Sequence, residues 1–353
     1  MCVSVAQTVV CLWQDFLMHS IIPKDENQAT ITVVIPAFKV KAQILEVIKS
    51  IGPEVNKIIV IDDACPESSG QYVKTNVIDP RVEVIFHEAN LGVGGAVKTG
   101  YKRALELNSD VTVKIDGDGQ MDTTRISQLI MPIIQGLADY SKGNRFFDVE
   151  AVRSMPKIRI FGNLGLSFLT KLSSGYWRIF DPANGFTAIN LEKLKSLPLH
   201  KIDNGYFFES DMLFRLNLLD AAVLDVEMPA IYDNEKSNLK ISRVMFEFPA
   251  KHFRNLVKRI GYTYYLRDFN LASIELPLGL FLGGFGLILG AFSWTKGLVT
   301  SSPTQTGTLI LIAMSVLAGL QLVLAFLSYD TNNSSLRSSG PNRLPRQLSK
   351  PLQ

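Results

Sequence analysis

The sequence predicts an α/β domain with a mostly parallel sheet, joined to membrane-surface helices and then to two transmembrane helices. Three observations predict it. Strand-like apolar runs alternate with helical ones between residues 30 and 120. Paired acids recur where those runs end, at Asp62-Asp63 and at Asp116-Gly117-Asp118. Two long uncharged runs, 276–295 and 297–329, lie side by side near the C-terminus.

The elements follow in chain order. Ile31 to Phe38 reads as a buried strand ended by Pro36, followed by a helix near Ala42–Ile51. Lys57 to Asp63 is a second strand that ends in two acids, and Val82–Phe86 is a short third. Asn90 to Ala96 is a glycine-rich turn into a helix that runs through Leu105. Val111, Val113 and Ile115 alternate in a fourth strand, which delivers Asp116-Gly-Asp-Gly-Gln120. In such sheets ligands bind at the carboxyl ends of the strands, where both acid pairs fall. Two carboxylates one residue apart at a strand tip can share one hard divalent cation. Mg²⁺ and Mn²⁺ prefer oxygen ligands and are usually bound jointly with substrate phosphates.

These residues carry a family resemblance. Val33-Val-Ile-Pro-Ala-Phe38, Ile61-Asp-Asp63, Asn90-Leu-Gly92 and the Asp116/Asp118/Gln120 set resemble family 2 glycosyltransferases of the GT-A fold. Gly143-Asn-Arg145, Arg159 and Asp181-Pro-Ala-Asn-Gly-Phe186 are similar to the dolichol- and polyprenyl-phosphate sugar synthases. The resemblance covers roughly residues 30–240 and implies a GT-A catalytic domain there. It implies a UDP- or GDP-linked sugar donor, with Asp63 on the base, Asp62, Pro36 and Phe38 around it, and Gly92 admitting the nucleotide. Asp116, Asp118 and Gln120 would hold Mg²⁺ or Mn²⁺. Arg145 and Arg159 would hold the phosphate of a polyprenyl phosphate acceptor. Asn184 lies in the same motif, and Lys236 and Lys240 lie in a loop that could close over the site.

Glu209-Ser-Asp211 is open to several readings. It opens a helical pattern through Leu219. A carboxylate here can be a general base for a hydroxyl acceptor, can orient an arginine, or can cap the helix. The implied reaction is an inverting transfer of one sugar to a lipid phosphate. Its alternatives are a membrane-anchored transferase using a hydroxyl acceptor and a non-catalytic scaffold.

Composition bounds the rest. The 353 residues allow about two units, and a mean hydropathy of +0.16 with 47% hydrophobic residues is high for a soluble enzyme. Lys251, Arg254, Lys258, Arg259 and Arg267 precede the first long apolar run. Arg337, Arg343, Arg346 and Lys350 follow the second, and only Lys296 lies between them. Positive flanks mark the cytoplasmic side, so the catalytic domain is expected there, with a bacterial inner membrane favoured over the endoplasmic reticulum. Gly279/Gly283 and Gly286/Gly290 would let two helices approach closely. Residues 241–272 mix aromatic and basic side chains. That pattern suits helices lying on the membrane surface, or a linker helix packed on the catalytic domain.

A net charge of +3 gives no case for nucleic acid. The three cysteines lack metal or redox spacing. Gly92-Val-Gly-Gly-Ala-Val97 lacks the third glycine of a dinucleotide fingerprint, and no phosphate-binding Gly-Lys-Ser/Thr loop occurs. Residues 1–29 are apolar at first but lack a basic start, and Asp15 interrupts them, which makes a poor secretory leader. Residues 273–329 form the expected transmembrane hairpin and 330–353 a disordered cytoplasmic tail. A homo-oligomer is compatible with all of this.

Overall fold

β-branched residues build the parallel half of the sheet. Strands β1 (Ile31–Ala37), β2 (Lys57–Asp62), β3 (Val82–Phe86) and β4 (Val111–Lys114) are rich in valine and isoleucine and pair in parallel. The computed structural model describes residues 29–147, 157–182, 184–228 and 241–338. Strands β5 (Tyr140–Asn144), β6 (Thr187–Asn190) and β7 (Val223–Glu227) complete a seven-stranded sheet in the order β3-β2-β1-β4-β6-β5-β7. β6 runs antiparallel to both of its neighbours, and β5 and β7 are parallel.

Helices cover both faces. Ile31, Val33 and Ile35 point to one layer, which contains α1 (Ile44–Ser50) and α4 (Ile126–Ile134). Val34, with Ile59 and Ile61, points to the other. That layer holds α3 (Val93–Glu106) and α7 (Phe208–Leu218), and the short helices α2 (Ser69–Asn76) and α6 (Leu191–Ser196) and the longer α5 (Lys157–Ser174) complete the domain. Pro36 lies inside β1 rather than ending it, paired with Ile61. The reason is register. Val34 offers its carbonyl to Ile115 on the β4 side, while Ala37 serves β2. Pro36 therefore faces the β4 side, where the ladder has already ended at Val34–Lys114.

The chain then leaves the sheet through α8 (Ile241–Ile260), a π-helical turn (Gly261–Arg267), α9 (Leu271–Thr300) and α10 (Thr306–Ser338). α9 and α10 are long and apolar enough to cross a membrane, and little of either is buried. Their contact uses the glycine spacing. A Cβ on Gly279 would stand 3.0 Å from the Gly319 carbonyl, and one on Gly286 2.7 Å from a Val316 methyl.

α8 presents two different faces. Phe253, Arg254, Val257 and Lys258 are exposed. The other face packs on the catalytic domain. There Asn255 donates to Asp211 at 3.0 Å and Lys251 pairs with Asp203 at 2.7 Å. Arg259 is buried rather than facing the membrane surface. It donates to Asp330 at 2.6 and 2.9 Å and to the Leu172 carbonyl at 3.0 Å. Tyr264 and Trp177 also donate to Asp330, at 2.7 and 3.1 Å. The sequence placed the hairpin's end at Tyr329, with a disordered tail beyond it. Instead α10 continues to Ser338, and Asp330 within it ties the helix to α8 and to the catalytic domain. Residues 339–353, like 1–28, lie outside the described residues.

His252 sits at the heart of this junction. Its Nδ1 is 2.8 Å from the Ser173 hydroxyl, its ring is 4.8 Å from that of Phe207, and its Nε2 is buried without a polar partner. Burial pushes its pKa down to about 4. The fold therefore holds a neutral imidazole, while the unfolded chain protonates near the ordinary value. Stability is complete above about pH 6.5 and is lost as pH falls toward 4. From pH 8 to pH 5 the expected loss is about 2 kcal/mol, carried by this one group. Thermal melts of wild type and His252→Gln at both pH values check it. Equal acid sensitivity in the two proteins would refute the assignment.

Candidate active site

Because β1, β2 and β4 are parallel, their carboxyl ends share one edge of the sheet. That edge presents Phe38, which is 40% exposed, together with Asp63 and Asp116. Pro36 lies just behind Phe38 on β1.

The two acids at the end of β2 are buried and engaged internally. Asp62 accepts from the Cys65 amide at 2.7 Å and from the Gly70 amide at 2.6 Å, which fixes the entry to α2. Asp63 accepts from the Leu91 and Gly92 amides, each at 2.8 Å, and lies 2.7 Å from His87 Nδ1. It thus anchors the glycine-rich turn. Gly92 has φ +84, and a Cβ there would stand 2.6 Å from the Asn204 carbonyl. The close approach that requires this glycine is to the 204–205 backbone, whereas the sequence reading gives that space to a nucleotide.

The end of β4 holds a residue absent from the sequence reading. Lys114 is fully buried, and its ammonium lies 2.8 Å from Asp116 Oδ1 and 2.9 Å from Glu209 Oε1. Burial disfavours its charge, but the two carboxylates outweigh burial and hold its pKa above the ordinary lysine value. A lysine inside an apolar strand, two positions before Asp116 and hence on the same face, was the available signal. Asp116 remains partly exposed, and Asp118 accepts from the Gln120 amide at 3.1 Å. Gln120 is half-buried beside it.

The Asp181–Phe186 segment joins this end to the arginine. Asp181 takes a two-pronged ion pair from Arg145, Nε to Oδ2 at 2.8 Å and Nη2 to Oδ1 at 3.1 Å. Asn184 donates to the Gly143 carbonyl at 2.8 Å and accepts from the Phe186 amide at 3.0 Å, a role within the chain itself. Gly185 is packed so closely that a Cβ would collide with the Lys114 ammonium and the Asp116 carboxylate. A second buried lysine, Lys142, donates to the Asn184 carbonyl. Burial lowers its pKa to about 8, and nearby acids, Asp181 first, offset part of that fall.

Of the open pair at the start of α7, Glu209 faces Lys114 and Asp211 turns inward. Asp211 accepts from the Asp203 amide, Arg215 Nε and Asn255, each at 3.0 Å. It therefore orients an arginine and ties α7 to α8. Arg159 lies in the first turn of α5, with its side chain outside the described ones. Lys236 and Lys240 lie outside the described residues.

Asp116 and Asp118 offer oxygen donors alone, which suits Mg²⁺ or Mn²⁺. Among the described residues no cluster of three or more His, Cys, Asp or Glu could hold a metal ion. Two carboxylates make a partial shell that substrate phosphates and water would complete, the usual arrangement for Mg²⁺. A cleft of about 450 Å³ between Gly290, Trp294, Pro303 and Ile312 has no charged lining and lies in the hairpin, away from these carboxylates.

The sequence model described as "Glycosyl transferase family 2" matches residues 32–197. The chain is 31% identical over 245 residues to the UDP-N-acetylglucosamine–dolichyl-phosphate N-acetylglucosaminyltransferase of Methanococcus voltae, covering 65% of this chain and 96% of that one. It is 27% identical over 187 residues to the undecaprenyl-phosphate mannosyltransferase of Micrococcus luteus, covering 52% and 75%. Among solved structures it resembles glucosyl-3-phosphoglycerate synthase from Mycobacterium tuberculosis. The TM-score is 0.50 at 21% identity, over 66% of this chain and 80% of that one, a likeness of fold.

Proposed function

The chain belongs to glycosyl transferase family 2 and is a glycosyltransferase, and we propose that it moves one sugar, with inversion, from a nucleotide-sugar to a polyprenyl phosphate at the cytoplasmic membrane face. One observation carries the reading. Asp181 orients Arg145, and Gly185, four residues on, packs on Asp116, which supports a site that uses both the arginine and the acidic strand end. Relatives named for dolichyl-phosphate and undecaprenyl-phosphate acceptors support the acceptor class.

In the proposed step an acceptor phosphate oxygen attacks the sugar C1 from the face opposite the leaving group. The C1–O bond breaks, and its electrons leave on the diphosphate. Asp116, Asp118 and Gln120 would hold a divalent cation, which when bound neutralises charge on the diphosphate. Phe38 and Pro36 line the donor edge, and Asp62 and Asp63 fix the loops around it. Arg145, with Arg159, Lys236 and Lys240 as further candidates, would offset the charge of the acceptor phosphate. A phosphate is already anionic and needs no base. A hydroxyl acceptor does, and the carboxylates on α7 are already engaged, Glu209 by Lys114 and Asp211 by its own hydrogen bonds.

Sealed vesicles of known orientation test reaction and topology together. A labelled nucleotide-sugar cannot cross the membrane. Lipid-linked sugar should therefore form in inside-out vesicles supplied with polyprenyl phosphate and Mg²⁺ or Mn²⁺, and not in right-side-out ones. Product only on a hydroxyl acceptor, or equal product in both orientations, would sink the corresponding half of the reading.

A further inference from the structure

Two carboxylates and one ammonium meet at the wall of the site. Asp116 comes from the end of β4, Glu209 from the first turn of α7, and Lys114 lies between them. The side chains differ in exposure: 30% for Asp116, 13% for Glu209 and 1% for Lys114. Asp116 therefore faces the site, and Glu209 stands closer to the interior. Glu209 is not among the residues proposed to hold the cation, and its described partner is Lys114. Its charge still reaches the site. Unscreened charges a few ångströms apart in a partly buried wall interact far more strongly than in water.

Both proposed substrates are anions. The donor carries a diphosphate and the acceptor a phosphate. The cation proposed for Asp116 and Asp118 would offset their charges, but an uncompensated Glu209 would still add one negative charge where the acceptor must approach the donor. Lys114 removes that charge. It also fixes Asp116, because its ammonium holds Oδ1 and the absence of a side chain at Gly185 lets the group sit there. No exposed surface lysine could do both, since its solvated ammonium would be screened and mobile.

We propose that Lys114 is a positioning and specificity-determining residue, which cancels the charge of Glu209 and so lets this site accept an anionic lipid. This rests on the phosphate-acceptor reading above. Its signature is a charge balance. Removing Lys114 alone harms phosphate binding, and removing Glu209 as well restores it.

The test uses the full-length protein in detergent, without donor, and measures binding of a short-chain polyprenyl phosphate and of the matching uncharged prenol by calorimetry. Lys114→Met should weaken phosphate binding by about tenfold or more and leave prenol binding unchanged, as expected for one uncompensated charge in a partly buried site. The double variant Lys114→Met/Glu209→Gln should return to within about threefold of wild type, because the wall regains its charge balance. Three results would overturn the inference: unchanged phosphate binding in Lys114→Met, parallel losses for phosphate and prenol, or a double variant no better than the single one. Should Lys114→Met fail to fold, with Asp116 and Glu209 left without their shared ammonium, the double variant still decides, since a loss beyond threefold overturns the inference. Wild-type protein that binds the prenol but not its phosphate would overturn the acceptor reading itself. That outcome is separate from any comparison among variants.

Discussion

Asp118→Ala is expected to abolish sugar transfer while the protein keeps its thermal transition. Asp118 is half-buried at the tip of β4, and its described hydrogen bond is a local one to the Gln120 amide. Losing such a bond at a partly exposed site costs about 1 kcal/mol of stability. The catalytic cost is far larger. Lewis-acid stabilisation of a leaving diphosphate is worth several kcal/mol, so turnover should fall on the order of a thousandfold. Asp116→Ala is a poorer probe of the same idea, because it also strips a partner from the buried Lys114. Circular dichroism and melting would establish the fold of Asp118→Ala. Donor turnover would then be measured across Mg²⁺ and Mn²⁺ concentrations. Near-normal turnover at saturating metal would remove Asp118 from the metal site.

Residues that act through their immediate neighbours were legible in the sequence. β1, β2 and β4 are apolar runs of Val and Ile, and the acids at their ends stand where the chain pattern puts them. β5 was not legible. Tyr140-Ser-Lys-Gly-Asn144 is buried throughout yet mostly polar, and its polar groups are satisfied by residues far away in sequence. The same limit hid the engagement of Asp63, whose partners arrive from residues 87–92, and of Arg259, whose partner lies at 330. Arg259 belongs to the basic flank before the first span, yet its charge is met inside the protein by Asp330. Lys114 was visible as an oddity in an apolar strand, but its two carboxylate partners were not, since one lies 95 residues away.

The acceptor class turns on a second large effect. Arg145→Ala should reduce transfer to polyprenyl phosphate by roughly ten- to a hundredfold, the cost of losing a charge-assisted, bidentate phosphate contact of about 1.5–3 kcal/mol. Glu209→Gln, in the same assay, should stay within about tenfold of wild type, because a phosphate nucleophile has no proton to surrender. The structure complicates the arginine variant. Asp181 is almost completely buried and loses its partner when Arg145 is removed, which by itself destabilises the fold. Arg145→Ala/Asp181→Asn removes both charges together and should recover the melting temperature without recovering transfer. Arg145→Lys keeps one charge but lacks the fork that grips Asp181 and a phosphate at once, so it should fall between wild type and alanine. A hydroxyl acceptor predicts the reverse order. The carboxylate at position 209 would then be essential, and the arginine dispensable once Asp181 is neutralised. Lipid-linked sugar is the quantity to follow, with donor binding measured on each variant so that a collapsed pocket is not mistaken for missing chemistry. A dead Glu209→Gln that still binds donor, beside a healthy Arg145→Ala/Asp181→Asn, would move the reaction from a phosphate acceptor to a hydroxyl one.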